Sequence, residues 1–201
     1  MYMYMYMYIH THIYTHTHMY IHIYIHMKAM LSLLRKARIA AGLDGGSYIG
    51  LHVRHGDACG NNGRQCLGAK EIAMAVTRMR NRYHTSKVFV ATDSPDMITL
   101  LQSEVRDVSW LHVPADRSQG SGSPLMGQVW PQMLRTRMGL LDRRAVAELS
   151  LVDLFLLAHA DYFIGQFSSA FSLVAFELSV AHKGYVPPYM SLDCPWWPLV
   201  S

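Results

Sequence analysis

Residues 48–54 read YIGLHVR and residues 87–92 read KVFVAT, and these two runs decide the fold. Each is short, apolar and rich in β-branched or aromatic residues, the pattern of a strand covered on both faces. Trp110 to Val113 and Tyr162 to Gly165 are shorter runs of the same kind. Working outward, Lys70 to Tyr83, Pro95 to Val105, Arg144 to His159 and Ser169 to Ala181 fill the gaps with helical patterning. Ala29 to Ala41 adds a basic amphipathic helix that stops at Gly42 and the Asp44-Gly45-Gly46 turn. A β-α order repeated in this way predicts a Rossmann-like α/β domain: a parallel sheet flanked by helices, with ligands beyond the carboxyl ends of its strands.

At 201 residues the chain has room for one such domain and a tail, or for two small ones, on a prior of roughly 150 residues per domain. Apolar residues make up 51% and charged residues 16%, enough apolar material for a core and too little charge for a disordered chain. The net charge of +4 is spread without a dominant run, which argues against a nucleic-acid partner and suits a small anionic ligand. Three Cys exclude a disulfide-framework miniprotein, and no uninterrupted apolar stretch of about 20 residues is present to span a bilayer.

Residues 1–27 stand apart as a low-complexity tail, leaving 28–201 as the domain. From Met1 to His26 every odd position is Met, Ile or Thr and every even position is Tyr or His. Met, Ile and Thr can be written purine-pyrimidine-purine, and Tyr and His pyrimidine-purine-pyrimidine, so the stretch reads as a translated simple DNA repeat. The reading places the expected start at Met27 or Met30. His or Tyr at every second place breaks the apolar core that a signal peptide needs, so no targeting segment is read here. Alternating β-formers without charge or Pro resemble an aggregation-prone strand, and the expectation is a disordered or sticky tail without chemistry.

Ala115 to Asp142 is the longest gap between elements. Connections beyond roughly 12 to 15 residues are usually functional lids or unstructured, so the segment reads as a ligand-covering loop, with a plain spacer as the alternative.

Chemistry is expected at the strand ends. The first strand runs into His52-Val53-Arg54-His55-Gly56-Asp57, which puts His52 and Arg54 on one face and an acid in the turn. The second ends in Ala91-Thr92-Asp93, where Asp93 is either a site acid or an ordinary helix cap. The fourth ends in Gly165-Gln166-Phe167-Ser168-Ser169 and opens a helix, so Ser168, Ser169 and the first free N–H groups form an anion site or simply a cap. Asp153 sits inside the apolar run LSLVDLFLLAH, where a carboxylate is costly unless it meets a donor. An Arg, anion-binding N–H groups and a recessed carboxylate together suit a nucleoside diphosphate whose guanine presents N1–H and N2–H to the acid.

The strings YIGLHVRHGDACG, VFVATDSPD and ELSLVDLFLLAHADYFIGQFSSAFSLVAFEL resemble, in order and spacing, three motifs of the alpha-1,6-fucosyltransferase family, glycosyltransferase family 23. The resemblance runs from about Tyr48 to Ala181 and includes the 16-residue step from Asp153 to Ser169. It implies the donor-binding C-terminal half of a two-domain GT-B enzyme, carrying out metal-independent inverting transfer from GDP-fucose to a glycan or glycoprotein acceptor, with no cofactor, in the Golgi or another secretory lumen. Carried over by position, His52 and Asp153 hold guanine, Arg54 the β-phosphate, and Ser169, with Ser168 beside it, a phosphate oxygen. Arg54 leads the catalytic set, with Asp57 and Asp93 holding the turn and Arg54 in place.

The chain also departs from the family pattern. Where the family reads His-Val-Arg-Arg-Thr-Asp-Lys, His55 replaces the second Arg, Gly56 the Thr and Ala58 the Lys. The family's glutamate base aligns with Asn62, and the second acid after Ala-Thr-Asp is Ser94. An amide takes no proton from an acceptor hydroxyl, so another group such as Glu71 serves, the acceptor differs, or the chain binds without turning over. The alternative to an enzyme is therefore a truncated or noncatalytic GDP-sugar or glycan-binding module. Cys59 and Cys66 bracket a short loop compatible with a disulfide in an oxidising lumen, with free thiols or half a metal site as the alternatives. Trp196 and Trp197 read as core or as a sugar lining.

Overall fold

β1 (Ile49–Val53) is the central strand of a five-stranded, all-parallel sheet ordered β3-β2-β1-β4-β5. The structure is a computed structural model that describes residues 28–55, 67–114 and 142–196. The repeat tail, Asp57, Cys59, Asn62, Cys66, Trp197 and the 115–141 segment lie outside the described residues. Met1–Ala37 and Arg38–Ser201 form two compact units. Of the first, residues 28–37 are described and helical; the helix they belong to, α1 (28–40), ends as the second unit begins.

The second unit holds the sheet. β1 is followed by α2 (Ala69–Tyr83), β2 (Lys87–Thr92), α3 (Pro95–Glu104), β3 (Ser109–Leu111), α4 (Arg143–Ala158), β4 (Tyr162–Gly165), α5 (Ala170–Lys183) and β5 (Tyr189–Ser191). The four strands and the helices predicted from sequence appear within two residues at each end. β5 is an addition. Its three residues follow Pro187-Pro188 and carry no strand signal of their own; pairing with Phe163, Ile164 and Gly165 of β4 defines it.

Side-chain alternation distributes the two faces. Ile49, Leu51 and Val53 of β1, Val88 and Val90 of β2 and Ile164 of β4 join Ile72, Val76 and Met79 of α2 and Met97 and Leu101 of α3 in one buried cluster. The opposite face receives α4 and α5, which pack on each other. Gly50 makes room there: a Cβ at this position would lie 2.7 Å from the Ala160 Cβ and 3.3 Å from Leu157 Cδ2. Tyr48 ties the start of β1 to this layer, its N–H donating to Asp161 Oδ2 at 3.0 Å and its hydroxyl to the Leu156 carbonyl at 2.7 Å. Phe163, Phe167 and Phe176 stack beneath Tyr189, and Trp196 meets Phe176 edge-on with ring centroids 5.0 Å apart. Trp196 is thus half-buried against an aromatic cluster.

Candidate functional site

Successive strands run outward from β1 to β2 and β3, and the chain then returns to place β4 on the other flank of β1. The crevice at such a reversal, beyond the carboxyl ends of β1 and β4, is where open α/β sheets bind ligands. His52 and Arg54 come from the β1 end, Asp93 from the β2 end, and residues 166–169 from the β4 end.

Arg54 is held by both neighbouring strands. Its backbone N–H donates to Gln166 Oε1 at 2.9 Å, and its Nη1 pairs with Asp93 Oδ2. Asp93 Oδ1 also accepts the His55 N–H at 2.8 Å, so one carboxylate grips both the guanidinium and the chain that follows it. The helix cap position falls to Ser94, leaving Asp93 to this work. The Arg54 side chain keeps 26% of its surface open, against 11% for Asp93.

His52 is buried. Its Nδ1 lies 2.5 Å from Ser172 Oγ in the first turn of α5, and its ring packs against Phe171 at 4.8 Å. Burial, and secondarily the positive Arg54, push its pKa down to about 3, so the imidazole is neutral and rigidly oriented. Asp153, in the middle of α4, is 5% exposed.

Ser169 occupies the N-cap position of α5, and its hydroxyl makes no capping hydrogen bond. Ser169 N–H closes a turn onto the Gln166 carbonyl at 3.0 Å. Ser168 is engaged differently: its hydroxyl donates to Asp193 Oδ2 at 2.6 Å. Asp193 also accepts the N–H groups of Phe167 and Cys194 at 2.8 and 2.7 Å. Burial raises the pKa of this carboxyl, but the Ser168 hydroxyl and the N–H groups of Cys194, Phe167 and Ser168 outweigh it and hold it below the usual range. An internal carboxylate therefore takes the N–H groups of the turn itself, while the first-turn N–H groups of α5 lack intrahelical acceptors.

Glu71, the stand-in base considered from sequence, caps its own helix, its Oε2 accepting the Gly68 N–H at 2.9 Å. Sequence reasoning passed over Gln166, Ser172 and Asp193. Asp193 lies 25 residues past Ser168, and no local pattern links the two. Among the described residues no three His, Cys, Asp or Glu side chains gather as metal ligands, and no helix is long and apolar enough to cross a membrane.

Strand order, parallel pairing and helices on both faces of the sheet define a Rossmann-like domain. Solved structures of fucosyltransferases share this fold. POFUT1 in complex with GDP matches with a TM-score of 0.53 at 12% identity, over 81% of this chain and 48% of that one. POFUT1 in complex with GDP-fucose matches with a TM-score of 0.51 at 13% identity, over 80% and 45%. The fucosyltransferase NodZ from Bradyrhizobium superposes more loosely, with a TM-score of 0.46 at 22% identity, over 83% and 45%. The chain thus spans about half the length of the structures it matches. No family model and no curated protein matches the sequence.

Proposed function

We propose that this domain binds GDP-fucose across the β1/β4 crevice and, within a GT-B enzyme of the secretory pathway, serves inverting transfer of fucose to a glycan or glycoprotein acceptor without a metal. The observation that carries the reading is Arg54, fixed at the strand reversal by Asp93 and Gln166 with its side chain 26% exposed. As GDP departs, negative charge grows on the β-phosphate. A planar cation already held there stabilises the transition state more than the ground state, because no reorganisation is needed at that moment. Ser169 and the start of α5 supply further donors for phosphate oxygens. Asp153 is assigned to guanine N1–H and N2–H, and neutral His52 to the wall of the base pocket.

Calorimetry with GDP, ADP and UDP tests the assignment. GDP should bind most tightly, and Asp153→Asn should erase the preference, since an unmatched buried polar group costs about 1–3 kcal/mol. Equal affinity for all three diphosphates would overturn it. Asn62 and Ala58, in place of the family's base and Lys, favour a second reading as a GDP-sugar-binding module without turnover.

A further inference from the structure

β1 and β4 stop pairing at His52↔Gly165. The next inward donor of β1, the Arg54 N–H, is met by a side chain, Gln166 Oε1 at 2.9 Å. Gln166 is 5% exposed, so its carboxamide is held between the two strand ends. A carboxamide has an acceptor end and a donor end, and the Arg54 N–H fixes which is which. With Oε1 turned to Arg54, Nε2 carries two hydrogens that no group among the described residues accepts. Nor is this nitrogen sealed in: Ser179 Oγ is the buried side-chain atom without a partner among the described residues. The NH2 is therefore not fully enclosed, at the point where β1 and β4 stop pairing.

Among the described residues, the carboxylates hydrogen-bonded at these strand ends are engaged, Asp93 by Arg54 and the His55 N–H, and Asp193 by Ser168 and the N–H groups of Phe167 and Cys194. The described residues beside the Gln166 NH2 at these strand ends include the Arg54 side chain, 26% exposed, and the first turn of α5. Such a set calls for an anionic oxygen. We infer that Gln166 is a ligand-binding residue whose Nε2 donates to a diphosphate oxygen beside Arg54. The inference rests on the nucleotide-sugar reading above and adds to it a contact from the β4 side. The same side chain then has two tasks, closing the strand gap through Oε1 and reading the ligand through Nε2.

Gln166→Glu separates the two tasks, because it keeps an acceptor for the Arg54 N–H and replaces the donor by a negative oxygen. GDP affinity measured by calorimetry on the folded full chain should fall about tenfold or more. Unchanged GDP affinity would overturn the inference, whereas an unsubstituted chain that binds no GDP would overturn the nucleotide-sugar reading beneath it. If the variant loses its folding transition, the side-chain NH2 resonances of Gln166 in the unsubstituted chain decide: they should shift on addition of GDP, and resonances that stay in place while GDP binds would overturn the contact.

Discussion

Ser172 Oγ lies 2.5 Å from His52 Nδ1, which ties the last turn of the central strand to the first turn of α5 across 120 residues of chain. A serine hydroxyl both donates and accepts, so the bond forms with either tautomer of the imidazole and needs only a serine on the sheet-facing side of the helix.

Acid should therefore loosen the domain through His52. Its folded pKa of about 3 lies below the ordinary value near 6.5, so the unfolded chain binds the extra proton first as pH falls. Stability is complete above about pH 6.5 and declines below it, by at most about 1.4 kcal/mol per pH unit from this group, down to its folded pKa. His159, also pushed down by burial, acts with the same sign. Urea titrations at pH 7.5 and 5 should show a smaller loss for His52→Gln than for the unsubstituted chain; equal losses would place the sensitivity elsewhere.

Gly165→Ala should be expensive. An added Cβ would meet Phe163 Cε1 at 2.7 Å and Ser172 Oγ at 3.0 Å, forcing apart the ring and the helix turn that holds His52. Overpacking of this kind costs about 1–3 kcal/mol, readable as a lower urea midpoint. A change within error would mean that α5 has slack to move outward.

Arg54 should be replaceable by neither Lys nor Ala. A single ammonium cannot reproduce two-pronged contact with phosphate while keeping the grip of Asp93. GDP affinity is expected to fall roughly tenfold to a hundredfold in either variant. Undiminished binding by a folded Arg54→Ala chain would reduce the residue to a structural partner of Asp93.

Asp193→Ala should unravel the β4–α5 turn locally, because it removes the acceptor shared by Phe167, Ser168 and Cys194. The folded carboxyl titrates below its unfolded value, so its stabilisation is present above about pH 4 and is lost as pH falls through the folded pKa. Hydrogen exchange at the amides of Phe167 and Ser168 should accelerate in the variant near neutral pH, with Asp193→Asn intermediate. Unaltered protection would show the turn to be held by α5 alone.

Turnover by this chain alone should be weak even where GDP-fucose binds. On the proposed resemblance the family's base position falls to Asn62, and a positioned base contributes roughly 10²- to 10⁴-fold. The measurement is GDP release from GDP-fucose with and without N-glycan, protein and oligosaccharide acceptors. Strong acceptor-dependent release would point to a base other than the residue at position 62, with Glu71 and Asp57 the first positions to substitute.

The amino-acid sequence by itself determined the parallel α/β layering, since doubly covered strands such as KVFVAT and helical spacing between them are local patterns written in periods of two and 3.6 residues. It also picked out Arg54, Asp93, Asp153 and Ser169, because polar residues at strand ends, in an apolar helix and at a helix start violate the surrounding pattern. What only the tertiary structure decided were pairings between distant residues. β5 exists through its ladder to β4, Asp193 reaches Ser168 across 25 residues, and Gln166 meets Arg54 across 112. Nothing local marks such partners, because a hydrogen bond between chain segments depends on strand order and register. The placement of β4 beside β1 fixed both.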